Sequence, residues 1–78
     1  MNLLKIKILM LVLKEYPSLC ERIIKNPNRY NVNYSFDIRT YEIRVKFRFL
    51  KGIIVDKNIQ VRDLKQIMKV NLDQLTQL

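Results

Sequence analysis

Arg44, Lys46 and Arg48 alternate with Ile43, Val45, Phe47 and Phe49. Side chains on an extended strand alternate sides, so the three cations share one face, about 6–7 Å apart at roughly 3.3 Å of rise per residue. Phosphates along a nucleic-acid strand are spaced on a similar scale, and such a row can track a backbone. Asn31, Asn33 and Ser35, in the preceding run, add hydrogen-bond groups suited to sugars, phosphates or base edges. Arg39 at the joint of the two runs and Lys51 beyond the second extend the stripe. The same residues also suit a sheet face that merely meets water, and Lys or Arg on an exposed strand deters edge-to-edge aggregation. The excess of cations over Asp37 and Glu42 is what points toward an anionic ligand.

A second basic cluster comprises Lys57, Arg62, Lys65 and Lys69. The last three recur at spacings of three and four, which on one helix places them on one face, opposite Leu64 and Met68. That face is either solvated surface or, with a turn at Val70 and Asn71, part of a helix able to enter a duplex groove. Lys5 and Lys7 form a third, smaller patch.

Catalytic constellations are nearly absent. The chain has no His, which removes the commonest general base and metal ligand. One glycine cannot build a phosphate-cradling loop. Ser18, Ser35 and Cys20 have no base to activate them, and the carboxylates are scattered. No enzymatic activity, metal or cofactor is expected.

The charge balance agrees with a binding role. Fifteen Lys and Arg against seven Asp and Glu give a net +8 over 78 residues. Such an excess concerns partners and solubility rather than fold, and nucleic acid is the first candidate partner. A single cysteine excludes an intramolecular disulfide and fits a reducing, intracellular setting. Cys20, among apolar neighbours in an expected helix, reads as a structural thiol. Abundant Lys, Asn, Ile, Leu and Tyr with no Ala or Trp is the bias of an AT-rich genome. The apolar run Ile8–Leu13 is far short of the roughly 20 residues that span a bilayer and reads as core.

Four elements must position these groups. Residues 3–16 are densely apolar, and their Leu and Met content favours helix, although the alternation from Leu4 to Ile8 also fits a strand. Pro17 breaks the chain. Ser18 and Glu21 have the spacing of a capping box for a helix from Leu19 to Lys25, with Leu19, Ile23, Cys20 and Ile24 as inward candidates. Asn26 and Pro27 stop it. Two period-two runs, Val32–Ile38 and Tyr41–Phe49, joined by Arg39 and Thr40, predict an antiparallel hairpin with one buried face. Phe36, Phe47, Phe49, Tyr34 and Tyr41 fall on the apolar side and read as core. Tyr30 stands at the start of the hairpin and can stack on a base or pack. Gly52 marks a turn or bulge before a short strand, Ile53–Val55, closed by Asp56, Lys57 and Asn58. Val61, Leu64, Ile67, Met68, Leu72, Leu75 and Leu78 give the apolar face of a carboxy-terminal helix, or of two if Asn71 caps a second.

The expected fold is therefore α+β in one domain, residues 1–78: amino-terminal helices, a three-stranded antiparallel sheet with its main hairpin at about residues 30–50, and a carboxy-terminal amphipathic helix on the sheet. The order helix, three strands, helix resembles double-stranded-RNA-binding domains in topology alone, without their glycine- and lysine-rich signature before the last helix. Ile59, Val61, Leu64, Val70, Leu72 and Leu75 resemble the pattern of small helix–turn–helix modules of translation and DNA-binding proteins. Neither resemblance carries a functional residue over. The expected function is nucleic-acid binding through Arg39, Arg44, Lys46, Arg48 and Lys51, and secondarily Arg62, Lys65 and Lys69, with RNA ahead of DNA and a ribonucleoprotein particle as the setting. The alternatives are a phage- or plasmid-type DNA-binding regulator and a protein-interaction module that meets an acidic partner or a second copy of itself.

Overall fold

The computed structural model describes residues 2–50 and 52–78. Lys51, expected to extend the cationic stripe, lies outside the described residues. The first helix, α1 (Leu3–Glu15), starts where the Asn2 side chain accepts the Leu4 N–H at 2.8 Å and the Lys5 N–H at 3.4 Å. Two otherwise unpaired amide groups of the first turn are thereby satisfied. Leu4, Ile8 and Val12, one helical turn apart, form its buried stripe.

The second helix, α2 (Pro17–Lys25), corrects the expected cap. Pro17, with its φ preset, is the first helical residue, and the helix's first bond runs from the Cys20 N–H to the Tyr16 carbonyl at 3.1 Å. Ser18 is thus inside the helix, and no side chain caps its start. Leu19 is buried, Cys20 and Ile23 are half-buried, and Ile24 faces water. A single 3-10 turn at Pro27–Arg29 leads into the sheet.

Three antiparallel strands, β1 (Tyr30–Asp37), β2 (Glu42–Phe49) and β3 (Gly52–Gln60), lie side by side in that order. The β1–β2 register puts Val32 opposite Phe47, Tyr34 opposite Val45 and Phe36 opposite Ile43, so the period-two apolar sets meet on one face. The connecting turn is longer than Arg39 and Thr40. Asp37 pairs with Glu42, which leaves Ile38 and Tyr41 out of the strands and exposed. The Asp37 carboxylate accepts the Arg39 N–H at 2.9 Å, an Asx turn that ends β1 early.

β3 is also longer than expected. Asp56, Lys57 and Asn58 continue the strand opposite Lys46, Val45 and Arg44, where turn-forming side chains had indicated an end. A bulge lies beside them: Phe47 pairs with Val55 and Arg48 with Ile53, so Ile54 is the extra residue. Where β2 gives way to β3, Leu50 has left-handed backbone (φ 56°) and Gly52 does not.

The carboxy-terminal segment forms two short helices, the arrangement in which Asn71 is a cap. α3 (Val61–Lys65) buries Val61 and Leu64, and α4 (Leu72–Thr76) buries Leu75. Asn71 and Gln74 form a reciprocal capping box, with bonds of 3.0 and 2.9 Å.

All helices pack on one side of the sheet. α1 crosses it, because the Tyr34 hydroxyl on β1 donates to the Lys5 carbonyl at 3.3 Å while Lys57 on β3 pairs with Glu15 at 2.7 Å. Ile43, Val45 and Phe47 of the central strand, fully buried, meet Leu4, Ile8, Val12, Leu19, Val61, Leu64 and Leu75. Each such side chain contributes about 1.5–3 kcal/mol of transfer free energy. No described side-chain nitrogen or oxygen is buried without a partner.

Candidate nucleic-acid interface

One-sided packing leaves the other face of the sheet uncovered. Its side chains form four rows across the strands: Asn31, Arg48 and Ile53; Asn33, Lys46 and Asp56; Ser35, Arg44 and Asn58; and Asp37, Glu42 and Gln60. Every member is exposed or half-exposed. Arg44, Lys46 and Arg48 share this face as the alternation requires, and their neighbours on β1 are the expected Asn31, Asn33 and Ser35.

The charge on the face is more evenly balanced than the sequence indicates. Asp56, once it belongs to β3, is a third carboxylate on it. Arg44 reaches diagonally to Asp56 with both arms of its guanidinium, Nε donating to Oδ1 at 2.8 Å and Nη2 to Oδ2 at 2.5 Å. The bond to Arg44 holds the Asp56 carboxyl below its ordinary range, and the charges of Arg44 and of Lys46 directly opposite add to this. Asp56 in turn raises the Arg44 pKa. At the hairpin tip Arg39 folds back on Asp37, with Nε and Nη2 both at 3.3 Å from its carboxylate. The Arg39 bonds lower the Asp37 pKa, and Asp37 raises that of Arg39. Among the described residues four cations thus face three carboxylates, two of which already hold an arginine.

A polarity along the sheet results. The tip end carries Asp37, Glu42 and the tethered Arg39, whereas the opposite end carries Lys46 and Arg48, neither in an ion pair among the described residues, beside Asn33 and Asn31. Arg29 stands at this cationic end, since its carbonyl accepts the Leu50 N–H at 3.2 Å. It was not among the expected site residues. Aligning the two apolar runs so that Tyr30 meets Phe49 would have placed it there.

The aromatic residues lie on the other side. Tyr30 is half-buried against Phe49, with ring centroids 4.9 Å apart, which resolves its two readings in favour of packing. Phe47 is fully buried, and Tyr34, Phe36 and Phe49 are half-buried. Tyr41 departs from its expected core position: it is exposed in the turn with φ 55°, its ring edge-on to Phe36 at 5.4 Å. The open face therefore has charge and hydrogen-bonding groups but no stacking platform.

The secondary cluster is dispersed. Arg62 and Lys65 are exposed on α3, but the helix ends at Lys65, so Lys69 lies beyond it and the three do not line one helix. Lys65 Nζ sits 5.8 Å from the centre of the Tyr41 ring, and Lys57 points to the helical side of the sheet, where Glu15 raises its pKa. Of the fourteen Lys and Arg among the described residues, four belong to the open face and its tip, so most of the described positive charge surrounds the helices and the sheet ends. Among the described residues no cluster of His, Cys, Asp or Glu could hold a metal ion, and no helix is long and apolar enough to cross a membrane. Compared with protein-family models, with curated proteins and with solved structures, the chain matches none.

Proposed function

We propose that this chain binds nucleic acid, RNA ahead of DNA, by laying the phosphate backbone along the cationic end of its uncovered sheet face. The observation that carries this reading is Lys46 and Arg48 on one face, neither in an ion pair among the described residues and flanked by Asn31 and Asn33. Two cations about 6–7 Å apart suit successive phosphates. The neighbouring amides can hydrogen-bond sugars, including a 2′-hydroxyl, the group that distinguishes RNA from DNA. Without an aromatic on the face, binding is expected to depend on phosphates rather than stacked bases, and so to be weakly sequence-selective. The net charge of +8 draws a polyanion to the whole molecule, and the sheet end orients it.

A helix of α3 inserted in a duplex groove, with Arg62, Lys65 and Lys69 as readers, has less support, because α3 is five residues long and excludes Lys69. The test is fluorescence anisotropy with labelled single-stranded RNA, duplex RNA and duplex DNA from low to physiological salt. A log–log line with slope near −0.7 to −0.9 per phosphate contact, with the tightest binding to RNA, supports the proposal. Absence of binding at low salt would remove it.

A further inference from the structure

α1 is apolar on more than the side it buries. Leu3, Lys7, Met10 and Lys14 follow one another at spacings of four, three and four, and so form a stripe turned away from Leu4, Ile8 and Val12. Leu3 and Met10 on that stripe are 60% and 59% exposed. Ile67, in the turn after α3, is 52% exposed alongside. Between them runs a groove of about 250 Å³, lined by Lys7, Met10, Leu11, Lys14 and Ile67. Every charged residue in the lining is a cation. Neither lysine has an ion-pair partner among the described residues, and the nearest acid along α1, Glu15, is held by Lys57.

A concave apolar floor between two cations fits an apolar side chain flanked by carboxylates. A second copy of the same face would set Lys7 and Lys14 against the same lysines, which opposes self-association. A bilayer surface is too flat to fill a groove, and a phosphate backbone has nothing to gain from Met10, Leu11 and Ile67. We infer that this groove docks an acidic amphipathic helix of a partner protein, with an apolar anchor between α1 and Ile67 and carboxylates on Lys7 and Lys14. The geometry is commensurate. Lys7 and Lys14 are seven residues apart, about 10.5 Å along the axis, and carboxylates at i and i+7 of a facing helix have the same separation with an apolar anchor between them. This surface lies across the molecule from the open sheet face, so both can be occupied together.

The experiment titrates the isotopically labelled full chain, followed by amide NMR shifts, with a helical peptide carrying Glu at i and i+7 and Leu at i+3 and i+4. Control peptides replace Glu by Lys, or Leu by Ser. The proposal predicts saturable binding of the Glu/Leu peptide alone, with shifts centred on residues 3–14 and 67. Met10→Glu and the pair Lys7→Glu with Lys14→Glu should each weaken it about tenfold or more, the scale of one interface anchor. Ile67→Ser, on the opposite wall, should act likewise and covers the case in which an α1 variant fails to fold. Arg48→Ala should leave it unchanged. No saturable binding, equal binding of all three peptides, or indifference to both Met10→Glu and Ile67→Ser would overturn the proposal. Sedimentation with phosphatidylcholine vesicles containing phosphatidylserine, lost in Met10→Glu while the peptide fails to bind, would assign the face to a bilayer instead and equally overturn it.

Discussion

Asp56→Asn should strengthen polyanion binding. Asp56 occupies both arms of the Arg44 guanidinium and stands directly opposite Lys46, so it competes with a phosphate for two of the three cations on β2. The substitution keeps the shape and removes the charge. Both partners of the pair are substantially exposed, 52% and 34%, so solvent screens it and its loss should leave the melting temperature nearly unchanged. Deleting a carboxylate about 6–7 Å from a bound phosphate relieves repulsion worth about threefold in affinity at low salt. The freed Arg44 should add one phosphate contact, steepening the log–log salt dependence by about 0.7 on single strands and about 0.9 on duplex. Glu21→Gln is the control. It changes the net charge equally, but on the exposed surface of α2, away from the sheet. Anisotropy across a salt series reads both. If Asp56→Asn and Glu21→Gln behave alike, or if Asp56→Asn binds more weakly, the sheet face is not where the phosphates lie.

Other outcomes follow from the packing. Phe47→Ala, at a fully buried site in the central strand, should cost about 3–5 kcal/mol, comparable with the whole stability of a domain this size, and abolish a cooperative melt in circular dichroism. Leu50→Asn should raise the melting temperature by relieving up to about 1 kcal/mol of left-handed strain, because Leu50 has φ 56° and is 66% exposed; a lower melting temperature would show that its side chain packs. Stability should fall in alkali. Burial raises the Tyr34 pKa and Glu15 raises that of Lys57, so the folded chain keeps protons that the unfolded chain releases. Their contributions are complete below the ordinary Tyr and Lys values and are lost as pH rises through the raised ones. A melting temperature flat across that range would contradict this, and Tyr34→Phe should lessen the drop.

The sequence makes the hairpin legible because period-two alternation has one physical meaning when a single face is buried: Val32 with Phe47 and Phe36 with Ile43 could not meet otherwise. The buried stripe of α1 is less distinct, since every residue from Ile8 to Leu13 is apolar, and only the finished packing shows which of them face the sheet. Local turn chemistry misdirects at three places. Ser18 looks like a cap, but Pro17 is able to open the helix one position earlier. Asp56, Lys57 and Asn58 look like a turn, but each gains a cross-strand neighbour, and Asp56 a guanidinium, by staying extended. Arg39 and Thr40 look like the entire joint, but the Asp37 carboxylate captures the Arg39 amide and pulls Ile38 and Tyr41 into the turn. The second misreading affects the candidate site most. The three cations of β2 are apparent from their spacing, whereas the carboxylate that neutralises one of them comes from a strand register that no local pattern reveals. Lys69 is lost from its cluster for a related reason. Spacings of three and four align residues only while the helix continues, and α3 ends at Lys65.

The most direct test of the sheet-face account is the salt dependence of single-stranded RNA binding by the double variant Lys46→Ala with Arg48→Ala. Both side chains are solvent-facing and free of ion pairs among the described residues, so the melting temperature should hold. The account predicts weaker binding and a log–log slope shallower by about 1.4, two phosphate contacts at about 0.7 each. A slope and affinity equal to those of the unaltered chain, with the fold intact, would contradict it and place the phosphates on another surface.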